Sequence, residues 1–224
     1  MTRLGLHRDL SFCTIDDHLV FLDIQNDRYF RLSPPLESAL TNYLEGRPPQ
    51  DNSLRKLVEQ HILINAPDDS EDVPRMEVTM PMSSAVEDAM MHAQRASVVE
   101  VAETTAIVVS TQLQLKARSL KSILGKLADY RERHTSDAPM RTETQITQAV
   151  AIFRRARLYV PIDTCCLLDS LSLAKFLARR NVRAELVFGV TADPFSAHCW
   201  VQHGTVILND ALGHALAHTP IRVI

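Results

Sequence analysis

Nucleophilic chemistry has its best foothold between Pro161 and Leu177, where two adjacent cysteines, Cys165 and Cys166, stand at the start of an apolar helical run. Asp163 or Thr164 can cap that helix, which puts Cys166 in its first turn among unpaired backbone amides. The positive end of a helix favours thiolate over thiol, and the thiolate is the form that attacks a carbonyl. Cys165 competes for the role. Adjacent helical residues diverge by about 100°, so one of the two faces a cleft, and Cys166 is the choice. A buried, inert thiol is the plain alternative, since free cysteine is among the most buried residue types.

A base must stand beside such a sulfur. Downstream, Arg183 to Val190 reads as a buried strand, and His198 to Gln202 and Thr205 to Asp210 read as a hairpin turning near His203-Gly204. On a strand His198 and Trp200 share a face while Cys199 points away, so His198 addresses the cleft and Cys199 packs behind it. With a three-residue loop around Gly204, His198 lies opposite Asp210, whose carboxylate would fix the imidazole tautomer. A two-residue loop instead pairs His198 with Asn209. Cysteine at a helix start, histidine on one strand and aspartate on the next supply nucleophile, base and orienter in order. A zinc site from Cys165, Cys166, His198, Cys199 and Asp210 is the chemical rival, but its spacing is poor for zinc, and no metal is expected. There is no glycine-rich phosphate loop among the six scattered glycines. The Arg154-Arg155-x-Arg157 run reads as a solvated helix face.

Composition narrows the class. A net charge of -3 over 224 residues argues against dedicated nucleic-acid binding. The charged start, with Arg3, His7, Arg8 and Asp9, has neither a signal-peptide nor a membrane-spanning run, so a cytoplasmic protein without a membrane partner is expected. The four cysteines are too irregular for a disulfide framework and are expected as thiols.

Three regions must position these groups. In the first, residues 1–67, His18–Ile24 and Arg28–Leu32 form a hairpin through Gln25-Asn26-Asp27. A helix opened by Ser33 and two prolines and stopped at Gly46 follows, then a second helix from Asn52 or Ser53, a combination that suggests a winged-helix-like module. Residues 68–80 read as an acidic, proline-flanked linker. The third region, 81–224, begins with a mostly helical stretch whose β-branched runs, Val98-Val99 and Ile107-Val108-Val109, give no clean period. Ser119 to Arg133 carries a clear apolar stripe, and Thr142 to Gln145 has the spacing of a capping box. The expected fold class is α+β: a winged-helix-like module, a helical connection, and a C-terminal core of a helix against an antiparallel sheet.

In that core, Cys166-Leu-x-x-Ser170-Leu-x-Leu173, Leu186-x-x-Gly189-Val190, His198-x-Trp200-Val201, Gly204 and Asp210 resemble, in order and spacing, the leader peptidases of lasso-peptide biosynthesis. The resemblance implies a transglutaminase-like, papain-like fold, with Cys166 as nucleophile, His198 as base and Asp210 as orienting acid. Three positions depart from it: Asp169 stands where a basic residue is common, Cys199 where alanine is, and Gln202 where glutamate is. Asp169, one turn beyond Cys166, would raise the pKa of the thiol.

The N-terminal region is similar to a precursor-peptide recognition domain, and thus to the small peptide chaperone of pyrroloquinoline-quinone synthesis. Leu22, Ile24, Tyr29, Phe30 and Leu32 carry that likeness, together with Pro35 and the helix to Gly46. The similarity implies that these residues take a leader peptide as an added strand. Together the two resemblances imply a cysteine peptidase that removes the leader from a ribosomal precursor and needs no cofactor of its own. They also imply a partner, an asparagine-synthetase-like cyclase, to which any ATP requirement belongs. A transglutaminase-type acyltransferase and a non-catalytic peptide chaperone are the alternatives.

Overall fold

The computed structural model describes residues 4–47, 52–65, 78–88, 96–135 and 141–224. The chain divides between Glu77 and Val78 into two units, each with its own core. Residues 66–77, most of the expected linker, and residues 136–140 lie outside the described residues. Val78–Met80, also expected in the linker, join the second unit, where Val78 packs against Val187, Trp200, Ile207 and Ala215.

The first unit is a meander of β2 (Leu10–Ile15), β3 (His18–Asp23) and β4 (Arg28–Arg31), with two helices, α1 (Pro34–Leu44) and α2 (Ser53–Glu59). The expected hairpin is β3–β4, and Asp23 builds its turn by accepting the amides of Gln25 and Asn26 at 3.1 Å each. Phe12, Phe21 and Phe30 lie side by side across the three strands, with ring centroids 5.5 and 5.1 Å apart. Phe21, Leu40, Leu57 and Leu63 are fully buried beneath the helices. Such burial contributes roughly 1.5–3 kcal/mol per large apolar side chain. Ser33 precedes the prolines that open α1, and Gly46 ends it at φ +72, as expected. The structure adds β2 and a separate ladder of β1 (Leu4–Leu6) with β5 (Leu63–Asn65). Tyr43 fastens that ladder to α1, its hydroxyl donating to the Leu4 carbonyl at 2.7 Å.

The second unit opens with β6 (Ser83–Ser84) and the short α3 (Ala85–Asp88), followed by α4 (Val98–Ala117), α5 (Leu120–His134), α6 (Glu143–Arg157) and α7 (Cys166–Ala178). Its sheet has the order β10-β7-β8-β9-β6, from β7 (Glu185–Thr191), β8 (Ser196–His203), β9 (Val206–Ile207) and β10 (Thr219–Val223), with α8 (Leu212–Leu216) between the last two strands in sequence. Neighbours are antiparallel except β6 and β9, which run parallel. The central helix is α7, which packs against α4, α5, α6 and the sheet, with Leu171, Leu173, Phe176 and Leu177 fully buried.

Helix α4 hides its period because its buried face, Thr104, Ile107, Val108 and Thr111, is half threonine, while Val98, Val99 and Leu113 are exposed. A capping box from Ser97 to Glu100 starts it, and packing on α7 overrides the weak propensity of its β-branched residues. The box expected at Thr142 and Gln145 opens α6.

Candidate active site

Cys166 is the first residue of α7, exposed like Cys165, which forms the N-cap. No side chain caps the helix, which corrects the expectation that Asp163 or Thr164 would do so. Arg157 holds the approach instead, donating to the carbonyls of Val160 at 3.3 Å and Asp163 at 3.1 Å. It also pairs through Nε with Asp169 at 2.7 Å. Arg157 is therefore buried in the second unit and not part of a solvated basic face. The same pair answers the concern over Asp169: its charge is matched by a guanidinium, and the Cys166 thiol is lowered, not raised.

The candidate base stands on β8. His198 lies opposite Gly189 of β7, close enough to Cys166 to help lower its pKa. His198 Nε2 is 2.6 Å from Asp210 Oδ2. A carboxylate only accepts, so Nε2 carries a proton, and Nδ1 is the nitrogen left for the sulfur.

Strand register does not produce this contact. The β8–β9 hairpin turns through Gly204 and Thr205, with His203 opposite Val206 and Gln202 opposite Ile207. This is neither of the expected registers, and continued regularly it would set Asp210 opposite Cys199. The ladder instead ends at β9, and the chain bends away. Asn209 replaces the missing rungs: its Oδ1 accepts the Val201 amide at 2.7 Å, and its Nδ2 donates to Ser170 Oγ at 2.8 Å. Asn209 thus braces the bend and does not orient His198. Asp210, freed from the ladder, swings onto the histidine, while Ser84 Oγ donates to its carbonyl at 2.5 Å and the Ala211 amide to its Oδ1 at 2.8 Å.

Cys199 is the second correction. It is buried, as expected, but it does not pack idly behind the strand. Helix α7 crosses β8 so closely that Ser170 Oγ, one turn past Cys166, donates to the Cys199 carbonyl at 3.1 Å. At that crossing the Cys199 thiol comes near Cys166, and its influence is the largest of those lowering the Cys166 pKa to about 4, followed by His198, and the Cys199 amide adds to it while burial opposes it. The Cys199 thiol is correspondingly pushed well above its ordinary range. His198 is raised, first by Cys166 and then by Asp210, against burial. A thiolate facing an imidazolium is the state these shifts describe.

Two further histidines, unremarked in the sequence, complete the surroundings. His214 of α8 places Nδ1 2.8 Å from the same Asp210 Oδ2, and His218 Nδ1 donates to the His214 carbonyl at 2.9 Å. Their repeat of four from Asp210 was the available signal. The ligand atoms of His198, Asp210 and His214 lie within 4.8 Å of one another, a spacing a divalent metal can bridge. The hydrogen bonds at 2.6 and 2.8 Å account for that spacing without an ion. Trp200 Nε1 donates to Gln202 Oε1 at 3.2 Å, and Gln202 Nε2 donates to the carbonyls of Thr79 and Gly204 at 2.6 and 2.8 Å. The amide at position 202 is thereby a structural clasp.

In the first unit, the residues expected to meet a peptide separate by exposure. Leu22, Ile24 and Leu32 are buried, and Tyr29 and Phe30 are half-exposed on β4, an edge strand. Beside that edge, Arg28, Phe30, Arg31, Leu36 and Ile62 line a groove of ≈ 430 Å³. Among the described residues no helix is long and apolar enough to cross a membrane.

The chain is 46% identical over 46 residues to the Microcin J25-processing protein McjB of Escherichia coli, a match spanning 20% of this chain and 22% of that protein. No solved structure matches. A family model described as Transglutaminase-like superfamily matches residues 107–223, which hold α7, the sheet strands β7 to β10 and each of Cys166, His198 and Asp210; the chain belongs to that superfamily.

Proposed function

We propose that this chain is a cysteine peptidase of lasso-peptide biosynthesis, which binds the leader of a ribosomally made precursor and cleaves it from the core peptide. The observation that carries this reading is the placement of Cys166 at the start of α7 and His198 on β8, backed by Asp210 at 2.6 Å, with the thiol lowered and the imidazole raised. The Cys166 sulfur attacks the carbonyl carbon at the leader–core junction, and amides at the start of α7 stabilise the oxyanion. The tetrahedral adduct collapses as His198 gives its proton to the departing amine, leaving a thioester on Cys166 and a neutral imidazole. Water then attacks the thioester, His198 takes a proton from it, and Cys166 leaves as thiolate.

The edge of β4 with Tyr29, Phe30 and the rim at Leu32 is the surface for an added strand of leader, while Leu22 and Ile24 support it from the core. Fusion of a recognition domain, residues 1–67, to the peptidase raises the effective concentration of the junction at the cleft. An asparagine-synthetase-like cyclase would consume the freed core peptide, using ATP.

Incubating the full chain with the precursor peptide encoded beside its gene, and reading masses, tests the proposal. Two peptides summing to precursor plus water are expected. An amine-linked product when a primary amine is supplied would mark an acyltransferase, and full function of Cys166→Ala would mark a chaperone. Either result overturns the peptidase.

A further inference from the structure

Asp210 has two histidine donors on one oxygen, and only one of them faces the sulfur. His198 reaches Oδ2 from β8 at 2.6 Å and His214 reaches it from α8 at 2.8 Å, with the ring centroids of the two histidines 4.5 Å apart. The second ring is itself anchored. Its carbonyl accepts His218 Nδ1, and the His218 ring lies 5.2 Å from His198 and 5.1 Å from His214. Nothing in the hydrolytic sequence above uses His214. It is the more exposed of the two donors, 54% against 15% for the His198 side chain.

We propose that His214 is a positioning residue for the base: by donating Nδ1–H to Asp210 Oδ2 it pins the carboxylate between β8 and α8 and takes a share of its charge from His198. The inference rests on the Cys166–His198–Asp210 reading and deepens it. A carboxylate free to rotate on the bend after β9 would serve His198 in some of its orientations only. With Oδ1 on the Ala211 amide and Oδ2 between two imidazoles, it has one. Sharing also tempers the pair. An acceptor divided between two donors holds each less strongly, so the imidazolium surrenders its proton to the leaving amine more readily. Among the described residues, the other titratable groups near His198 are Cys166 from α7 and His218 beyond α8; β7 offers Gly189 at the facing position.

The test reads the His198 proton directly in the full chain. Iodoacetamide alkylation of Cys166, located by fragmentation mass spectrometry, is followed against pH. The rate should rise in an acid step as thiolate forms and again in an alkaline step as the imidazolium deprotonates. Asp210→Asn removes the charge that holds the imidazolium and should move the alkaline step to lower pH. With Oδ1 still held by the Ala211 amide, His214→Ala returns the whole carboxylate to His198 and should move it the opposite way, by about half to one pH unit, the net scale of one hydrogen bond. His214→Asn, whose amide nitrogen stands where Nδ1 stood, should restore the wild-type step. Should alanine disturb α8, His214→Gln carries the alanine expectation, because its amide reaches the Nε2 position instead. An unmoved step in His214→Ala, or one moving with Asp210→Asn, overturns the proposal while the triad stands. An unmoved step in Asp210→Asn overturns the triad reading, and this proposal with it.

Discussion

The start of α7 and the bend after β9 deliver side chains to the same place by opposite means. Cys166 rides on a helix sunk among three others, its first turn closed where the Asp169 amide donates to the Cys165 carbonyl at 2.9 Å. Asp210 hangs on a segment without a ladder, held by Ser84, Asn209, Ala211 and two histidines. A helix buried on all sides averages a local error over many contacts, whereas a bend held by single hydrogen bonds transmits each loss to the side chain it presents. Chemical roles on the helix side should therefore be sharp and folding robust; on the bend side, chemistry and folding should fail together.

The helix side gives the largest expected effect. Cys166→Ala should abolish precursor cleavage with thermal stability unchanged, while Cys13→Ala and Cys165→Ala retain most of the rate. A dead Cys165→Ala would move the nucleophile by one residue.

Asp210→Asn comes next. The amide keeps the size of the carboxylate but can neither hold the charge nor enforce the tautomer, and losses of about 10⁴-fold in turnover are the scale for such a change. Leader binding, measured by titration calorimetry, should be unaltered.

Gly189→Ala sharpens the comparison from beneath the histidine. An added Cβ would come 2.8 Å from Trp200 Cζ3 and 2.9 Å from His218 Cβ, directly behind His198. Overpacking of this kind costs about 1–3 kcal/mol. A lower melting temperature with slowed cleavage is expected, and an unchanged melt would show that the packing yields.

The acid limb of activity tests Cys199. Its thiol is the largest influence holding Cys166 near 4, so wild-type protein should keep its thiolate, and its reaction with iodoacetamide, well below neutral pH. The sign is fixed by the depressed value: reactivity is present above it and lost as pH falls through it. Cys199→Ala should move that loss to higher pH, with the plateau rate near neutral pH little changed. A superimposable profile would remove the thiol donor from the account.

The smallest effect belongs to Asn209→Asp. The carboxylate still accepts the Val201 amide but no longer donates to Ser170, which itself serves the Cys199 carbonyl. A loss of roughly 1–2 kcal/mol in a urea titration is expected. A silent variant would mean that the bend is held elsewhere.

The difference between the two regions also decides what could be read in advance. Cys166, His198 and the helices from Ser119, Thr142 and Cys166 were legible because caps, apolar stripes and strand alternation are local. The pairing of His198 with Asp210 was named for the wrong reason, through a register that the hairpin does not adopt. It arises from a ladder ending early, an event set by contacts with Ser84 and Ser170, 126 and 39 residues away from their partners. The reach of Cys199 to Cys166 was hidden likewise, because alternation along β8 says nothing of a helix crossing over it. Helix α4 was obscured by its own threonines, and Arg157 by the expectation that charge implies solvent.

The parallel strand β6 carries a consequence for where this fold can be cut. Ser83 and Ser84 pair with Val206 and Ile207 to cover the outer edge of β9, and Ser84 and Thr79 reach Asp210 and Gln202. Thr79, Ser83 and Ser84 lie upstream of residue 107, where the superfamily match begins. A fragment trimmed to that match would keep every residue of the chemistry and expose an unpaired strand edge beside it, a template for intermolecular pairing. The smallest stable fragment of the second unit should therefore begin before Val78, and shorter ones should be recovered as aggregates.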